Sequence, residues 1–430
     1  MDITKIHELQ RLNLFYDKDI LIYKEEEDKI ICCDKNGCFN ESKDFIKKLK
    51  GKFNYEKKNK YILSQCLLCE NKNDYHLNIE ECYNSVFRIA TELKKKTNGK
   101  INMFKTGDFR STILKLLLDN KMLDYDINEP ETIKNYREYQ WLNEASKGAL
   151  IYAKDDYKGN IIQYDKNSYY PSILKSDKLM IPIKEGEFRK IDKLPKNFKK
   201  TGIYKCKVIG NISPFLFRYN SHHFYTNTDL KRAKQLNYQL ELINDGEDNF
   251  LYYSEDKILS SDKIFKQYIT FLYDLKIYYK EQNDKEILIY IKKLLSAVWG
   301  VLTQVRKFDY IIHDFDCDNF ENKKDGDEII QRRKFNDEYD KITVMNIYNP
   351  CETRYARLKP FMLSMGRYII GKDIEEDVLN DKIVKIHTDG FCVIEGGKDY
   401  KISDELGGLK IEKQGLYHIK NVNKMIELEK

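Results

Sequence analysis

The chain has 430 residues, 41% apolar and 13% aromatic, enough for a substantial core in one large or two to three ordinary domains. With 32 Tyr and only 7 Pro the composition excludes a mostly disordered chain, and ten Cys in this length are too sparse for a disulfide scaffold. Its 75 basic and 69 acidic residues give a net charge of +6, which is compatible with a polyanionic partner without requiring one.

The first residues, Met1-Asp2-Ile3-Thr4-Lys5, lead into no apolar core, so no signal peptide is expected. No apolar run approaches membrane-spanning length. The expectation is a non-secreted, cytoplasmic protein with reduced cysteines and no membrane partner.

Residues 1–98 form a first segment of unassigned role. Ile20-Leu21-Ile22-Tyr23 and Ile30-Ile31-Cys32-Cys33 predict short strands around an acidic turn. The Lys-rich run from Lys47 to Lys60 reads as a solvated face. Cys66 and Cys69 have C-x-x-C spacing, with Cys33, Cys38, His76 and Cys82 nearby. Reduced structural cysteines are the expected reading, with a zinc site as the alternative. Phe104 to Asn120 predicts an amphipathic helix burying Ile113, Leu116 and Leu117.

Next comes Tyr164-Asp165-Lys166-Asn167-Ser168-Tyr169-Tyr170-Pro171-Ser172. Ile161 and Ile162 run up to Asp165 as the end of a strand, and Pro171 suits the first turn of a following helix. A carboxylate there suits a metal ion and the phosphates it carries. Tyr204 to Val208 and Leu251 to Tyr253 predict further strands, and Asp229 an N-terminal carboxylate on a helix. Asp262 to Lys280 and Lys285 to Thr303 predict two long helices, antiparallel across Gln282-Asn283. On the second, Lys292, Ser296 and Trp299 share one face. Residues 306–340, rich in charge and including Asp316 and Asp318, read as a loop insertion. Ile383 to Ile394 is apolar on both sides of Thr388-Asp389-Gly390, a hairpin signal carried by Asp-Gly.

Three of these stretches together resemble the motifs of family B DNA polymerases. Asp165, Ser168, Tyr170, Pro171 and Ser172 match motif A, D-x-x-S-x-Y-P-S. Lys292 to Gly300 resembles motif B, K-x-x-x-N-S-x-Y-G, with Ser296, Ala297 and Trp299 in place of Asn, Ser and Tyr. His387 to Gly390 resembles the D-T-D-S of motif C, with Asp389 at its second Asp and His387 replacing the first. Arg357 to Arg367 and Leu406 to Glu412 are similar to the segments that flank motif C.

The resemblance implies an α/β fold: a right-hand polymerase palm, two-helix fingers and a small N-terminal α/β domain. It divides the chain into 1–98, 99–260 (pre-motif A segment and first part of the palm), 261–305 (fingers), 306–340 (insertion) and 341–430 (second part of the palm). The implied activity is DNA-directed DNA synthesis with two Mg²⁺ ions, or Mn²⁺ in their place, held by Asp165 and Asp389. Ser168, Tyr170, Lys292 and Trp299 would meet the incoming nucleotide, with Lys276 or Lys280 as a second triphosphate contact. Gly148, in a segment similar to the template-contacting stretch of protein-primed members, would meet DNA, as would Thr388, Lys410 and Lys424. Primer-template and dNTPs are the implied partners, with a priming protein or a subunit that supplies a thumb. The expectation is a viral or plasmid replication enzyme with neither proofreading exonuclease nor thumb of its own. The rival expectation, prompted by His387, Ser296 and Ala297, is a degenerate polymerase-like protein that binds DNA or a replication partner. A third is a primase or nucleotidyl transferase on the same palm.

Overall fold

The computed structural model describes residues 17–25, 30–41, 61–63, 78–118, 130–313, 325–334, 336 and 338–428. Cys66, Cys69, His76 and the Lys47 to Lys60 run lie outside the described residues, as do Asp316 and Asp318. The chain divides into two compact units, residues 1–124 with 267–301, and residues 125–266 with 302–430. No helix among the described residues is long and apolar enough to cross a membrane.

The first unit contains a four-stranded sheet in the order Gly37–Glu41, Ile30–Asp34, Asp19–Glu25, Tyr61–Leu63. The strands expected around the acidic turn pair antiparallel, Ile22 opposite Cys33. The helix Ile79–Lys96 starts on Asn78, whose side chain accepts from the Glu81 N–H, and buries Val86, Ile89, Ala90 and Leu93. The helix expected from Phe104 onward is interrupted. It runs as Met103–Thr106 and then Phe109–Leu118, because Gly107 takes a positive φ (74°) that glycine alone adopts readily. Asp108 restarts it by accepting from the Ser111 N–H at 2.8 Å. Ile113, Leu116 and Leu117 are buried as expected.

The two long helices form as Ser261–Glu281 and Lys285–Leu302. The turn between them has Asn283 at φ 56°. Inside the first unit Tyr268 donates to the Leu294 carbonyl, joining the pair, and Arg88 clamps Asp284 and Glu286 where the second helix begins.

The second unit is built around a six-stranded sheet. Its strands are β1 (Ile151–Ala153), β2 (Tyr157–Lys166), β3 (Ile383–His387), β4 (Gly390–Ile394), β5 (Leu409–Asn421) and β6 (Lys424–Glu427), in the order β6-β5-β2-β4-β3-β1. Its helices include α1 (Tyr136–Ala145), α2 (Tyr169–Leu174), α3 (Asn227–Gln235) and α4 (Leu358–Asp373). The strands expected at Tyr204 to Val208 and Leu251 to Tyr253 do form, as Gly202–Ile209 and Phe250–Tyr252. They belong to a separate five-stranded sheet, not to the one that carries Asp165 and Asp389.

The described residues between 306 and 340, expected as a loop, include strands. Lys307–His313 and Asp327–Lys334 flank Tyr339–Asn346 in a three-stranded antiparallel sheet. Its charges are cross-strand pairs: Lys341 meets Asp309 at 2.6 Å and Arg332 meets Asp340 at 2.5 Å. Ile342 and Val344 supply the small apolar centre.

Two buried ion pairs fasten this unit. Arg357, at the start of α4, makes a two-pronged bond to Glu138 on α1 (2.9 and 2.8 Å), and the pair is 1% and 0% exposed. Arg367, further along α4, grips Asp229 on α3, the same carboxylate that closes the capping box of Thr226.

Candidate active site

Asp165 lies one residue from the end of β2, in the middle of the six-stranded sheet. Gly390 on β4 is its partner on one side and Lys410 on β5 on the other. Side chains alternate along strands, so Asp165 and Gln163 share a face with Lys410 and Glu412 of β5 and with Lys385 and His387 of β3. That face borders a cavity of about 300 Å³, lined also by Asp389 and by the turn Val422-Asn423. Asp165 and Asp389 are thus brought together from distant parts of the sequence.

The turn carrying Asp389 differs by one residue from the expected Asp-Gly hairpin. His387 pairs with Gly390, leaving Thr388-Asp389 as the two-residue tip. Thr388 takes the left-handed conformation (φ 63°), and its N–H donates to the Leu150 carbonyl. Gly390 is needed for packing: a β-carbon there would stand 3.0 Å from the Tyr164 carbonyl oxygen and 3.4 Å from an Asp165 carboxylate oxygen. The close approach of β4 to β2 sets Asp389 beside Asp165.

The turn after Asp165 is held from several sides. Lys166 N–H donates to the Asp389 carbonyl, fixing one motif to the other. Asn167 exchanges backbone bonds with Gly407 and Gly408, and its amide donates to the carbonyls of Asp404 and Glu405. Ser168 sits at φ 52°, strained for a non-glycine residue. Tyr169 donates to the Gly366 carbonyl on α4 at 2.5 Å. Tyr170 packs beneath, 3.3 Å from where a β-carbon on Gly366 would lie. Burial pushes the Tyr170 hydroxyl up to about 12, against the nearby Arg367 charge and with that of Asp389.

The electrostatics of the cavity are those of crowded carboxylates. Burial, then the Asp165 charge, push the Asp389 carboxyl up to about 6; the Lys410 charge opposes this and the Glu412 charge adds to it. Lys410 bridges to Asp165 at 2.9 Å, and Gln163 donates to Glu412 at 2.6 Å. Among the described residues no group of three or more His, Cys, Asp or Glu is placed to hold a metal ion. Two facing carboxylates nevertheless fit Mg²⁺, a hard cation bound through one or two carboxylates plus substrate phosphates. A cation between them would relieve the repulsion that raises Asp389.

The other residues singled out from sequence fall as follows. Gly148 is held by Arg367, which donates to the carbonyls of Lys147 and Gly148. Lys424 directly follows the cavity turn Val422-Asn423. In the first unit, Lys292 and Ser296 are exposed and Trp299 is half-buried along one face of Lys285–Leu302. Lys293, on another face, lies over the Phe109 ring. Lys276 stands over Tyr273 and Lys280 is exposed on Ser261–Glu281. Sequence reasoning missed Gln163, Asn167, Lys385 and Glu412. Gln163 carried a signal, lying two residues before Asp165 on a strand. Glu412 did not, because β5 bulges between Ile411 and Lys413.

No protein-family model matches the chain. In sequence it is similar to a DNA polymerase of Kluyveromyces lactis, 25% identical over 299 residues, 63% of this chain and 29% of that one. The chain thus spans under a third of the length of this relative. In structure it is similar to phi29 DNA polymerase complexed with primer-template DNA and incoming nucleotides, with TM-score 0.53, 15% identity, and coverage of 98% of this chain and 76% of that one. Against phi29 DNA polymerase complexed with single-stranded DNA the TM-score is 0.50, at 14% identity, covering 83% and 63%. At these identities the structural likeness is one of fold. The resemblance read from the motifs, to family B DNA polymerases of the protein-primed type, agrees with both comparisons.

Proposed function

We propose that the chain catalyses template-directed addition of dNTPs to a primer. The observation that carries the reading is that two carboxylates, Asp165 on β2 and Asp389 at the tip of the adjacent β3–β4 hairpin, line one cavity. Bound there, Mg²⁺ or Mn²⁺ supplies Lewis acidity toward the primer 3′-hydroxyl and the triphosphate. Asp165 and Asp389 hold that charge in place. Tyr170 limits the space beside the sugar, and Ser168 shapes the turn that faces the phosphates. Lys292 gives the triphosphate a cationic contact and Trp299 offers a ring to the nascent base pair. Gly148, Thr388, Lys410 and Lys424 are assigned to DNA, and Lys276 or Lys280 to a second triphosphate contact. Primer-template is the partner, together with a priming protein or a thumb-supplying subunit, in replication of a virus or plasmid.

The test is single-nucleotide incorporation by the purified chain on four primer-templates that differ in the first template base. Extension only with the complementary dNTP supports the reading. Binding of primer-template without extension in either Mg²⁺ or Mn²⁺ favours the rival, a degenerate polymerase. That rival draws on one observation: His387, where the motif has a carboxylate, borders the same cavity.

Two further outcomes follow. Lys292→Ala raises the apparent KM for dNTP roughly tenfold, the loss of about 1.4 kcal/mol from one charge-assisted contact, while Lys293→Ala changes it little. Equal effects from the two substitutions would show that the helix register has been misread. Tyr170→Val admits ribonucleotides, read as the ratio of kcat/KM for dNTP over NTP; an unchanged ratio would place Tyr170 away from the sugar.

A further inference from the structure

The cavity wall that carries the carboxylates also carries a cation of the chain's own. Lys410 is the cross-strand neighbour of Asp165, and its ammonium stands 2.9 Å from the Asp165 carboxylate. The Lys410 side chain is 49% exposed and that of Asp165 22%, so the lysine has open space into which it can move. Backbone pairing holds this register on both sides of the contact, Leu409 opposite Lys166 and Ile411 opposite Tyr164. The ammonium is thus paired with a carboxylate that, on the reading above, must take a divalent ion.

The geometry points to Lys410 as a tethered cation that competes with the metal for Asp165. This inference rests on the proposed metal role of Asp165 and Asp389 and adds a regulation of that site. An ammonium is a single charge with no open coordination position, so it neutralises Asp165 without supplying metal chemistry. A divalent ion binds only as Lys410 swings away, and the bridge must be broken first. Because β5 fixes the lysine backbone opposite Asp165, the displaced ammonium remains near the opening of the cavity. There it meets the anionic substrate that arrives with the metal. Lys410 thereby couples metal loading to the arrival of phosphate: metal alone binds weakly, and metal with triphosphate binds well because the lysine gains a new anionic partner.

The test is Mn²⁺ binding to the full chain, read by electron paramagnetic resonance of the free ion, with and without a non-hydrolysable dNTP analogue. Lys410→Met keeps the length and removes the charge. Lys413→Met, one bulge along the same strand, is the control. Thermal melting of both variants checks folding, and Lys410→Gln is the replacement if the Met variant does not fold. The expected result is a three- to tenfold lower Kd for Mn²⁺ in Lys410→Met without nucleotide, a smaller difference with it, and no change in Lys413→Met. Equal Kd in wild type and Lys410→Met, or weaker binding in the variant, overturns the inference while leaving the metal site itself standing. Mn²⁺ binding that Asp165→Asn and Asp389→Asn do not weaken, or no binding in any variant, overturns the metal reading and the inference with it.

Discussion

Asp389→Asn is expected to abolish primer extension and yet to leave the metal-free protein more stable than wild type at neutral pH. The loss of activity follows from the proposed metal role: the stabilisation of transition-state charge by a bound metal amounts to several kcal/mol, so its loss costs roughly 10³-fold or more in rate. The gain in stability follows from the crowding of the carboxylates. Asp389 is raised from 3.8 to about 6 by burial and by Asp165. The folded chain therefore holds this proton more tightly than the unfolded chain does. The stability this contributes is fully present below pH 3.8 and is lost as pH rises through about 6. Above that, the ionised carboxylate stands in an unfavourable place, with a cost of at most roughly 3 kcal/mol at 1.36 kcal/mol per pH unit. Asn carries no charge to penalise. Melting temperatures in EDTA should thus favour Asp389→Asn near pH 7.5 and show little difference near pH 4. A variant less stable than wild type at pH 7.5 would mean that Asp389 is structurally supported rather than crowded.

The largest expected loss of stability lies elsewhere, at Glu138. Its carboxylate is fully buried, takes both prongs of Arg357, and accepts from the Tyr253 hydroxyl at 2.9 Å and the Gly186 N–H at 3.1 Å. Arg357 also donates to the Glu131 carbonyl. Glu138→Ala strands the guanidinium, and breaking a buried pair on one side costs about 3–5 kcal/mol. At roughly 2–4 °C per kcal/mol for a unit of this size, the melting temperature should fall by about 10 °C. Removing both charges together, as Glu138→Leu with Arg357→Met, should cost less than either single change, because no charge is then left buried alone. A single Glu138→Ala within about 1 kcal/mol of wild type would show that water reaches the pair.

How far the sequence could be read depends on what fixed each element. The turn at Ser168 and the strand before Asp165 were legible because a β-favouring run, a turn and a proline follow one another. The helix at Asp229 was legible because a cap is local chemistry, three residues from Thr226 to its partner. The reading of Phe104 to Asn120 as one helix failed at Gly107, where a single residue of positive φ outweighs the apolar period on both sides. The strands Lys307–His313 and Asp327–Lys334 were missed because they bury little. Phe308 and Ile311 are about half exposed, and the sheet is held by cross-strand charges that a search for apolar alternation passes over. At the site, the two carboxylates were legible as turn residues and Lys410 through the segment flanking motif C, whereas Glu412 depended on strand register. A bulge shifts that register by one residue, and no local pattern announces it.

In the proposed mechanism Asp165 and Asp389 hold the catalytic metal together. The most direct measurement is the anomalous diffraction signal of Mn²⁺ in crystals of the chain with primer-template and a matching non-hydrolysable dNTP. The expected result is a Mn²⁺ peak bonded to carboxylate oxygens of both Asp165 and Asp389. Mn²⁺ bound away from these two residues, or to neither of them while the nucleotide is in place, would contradict it.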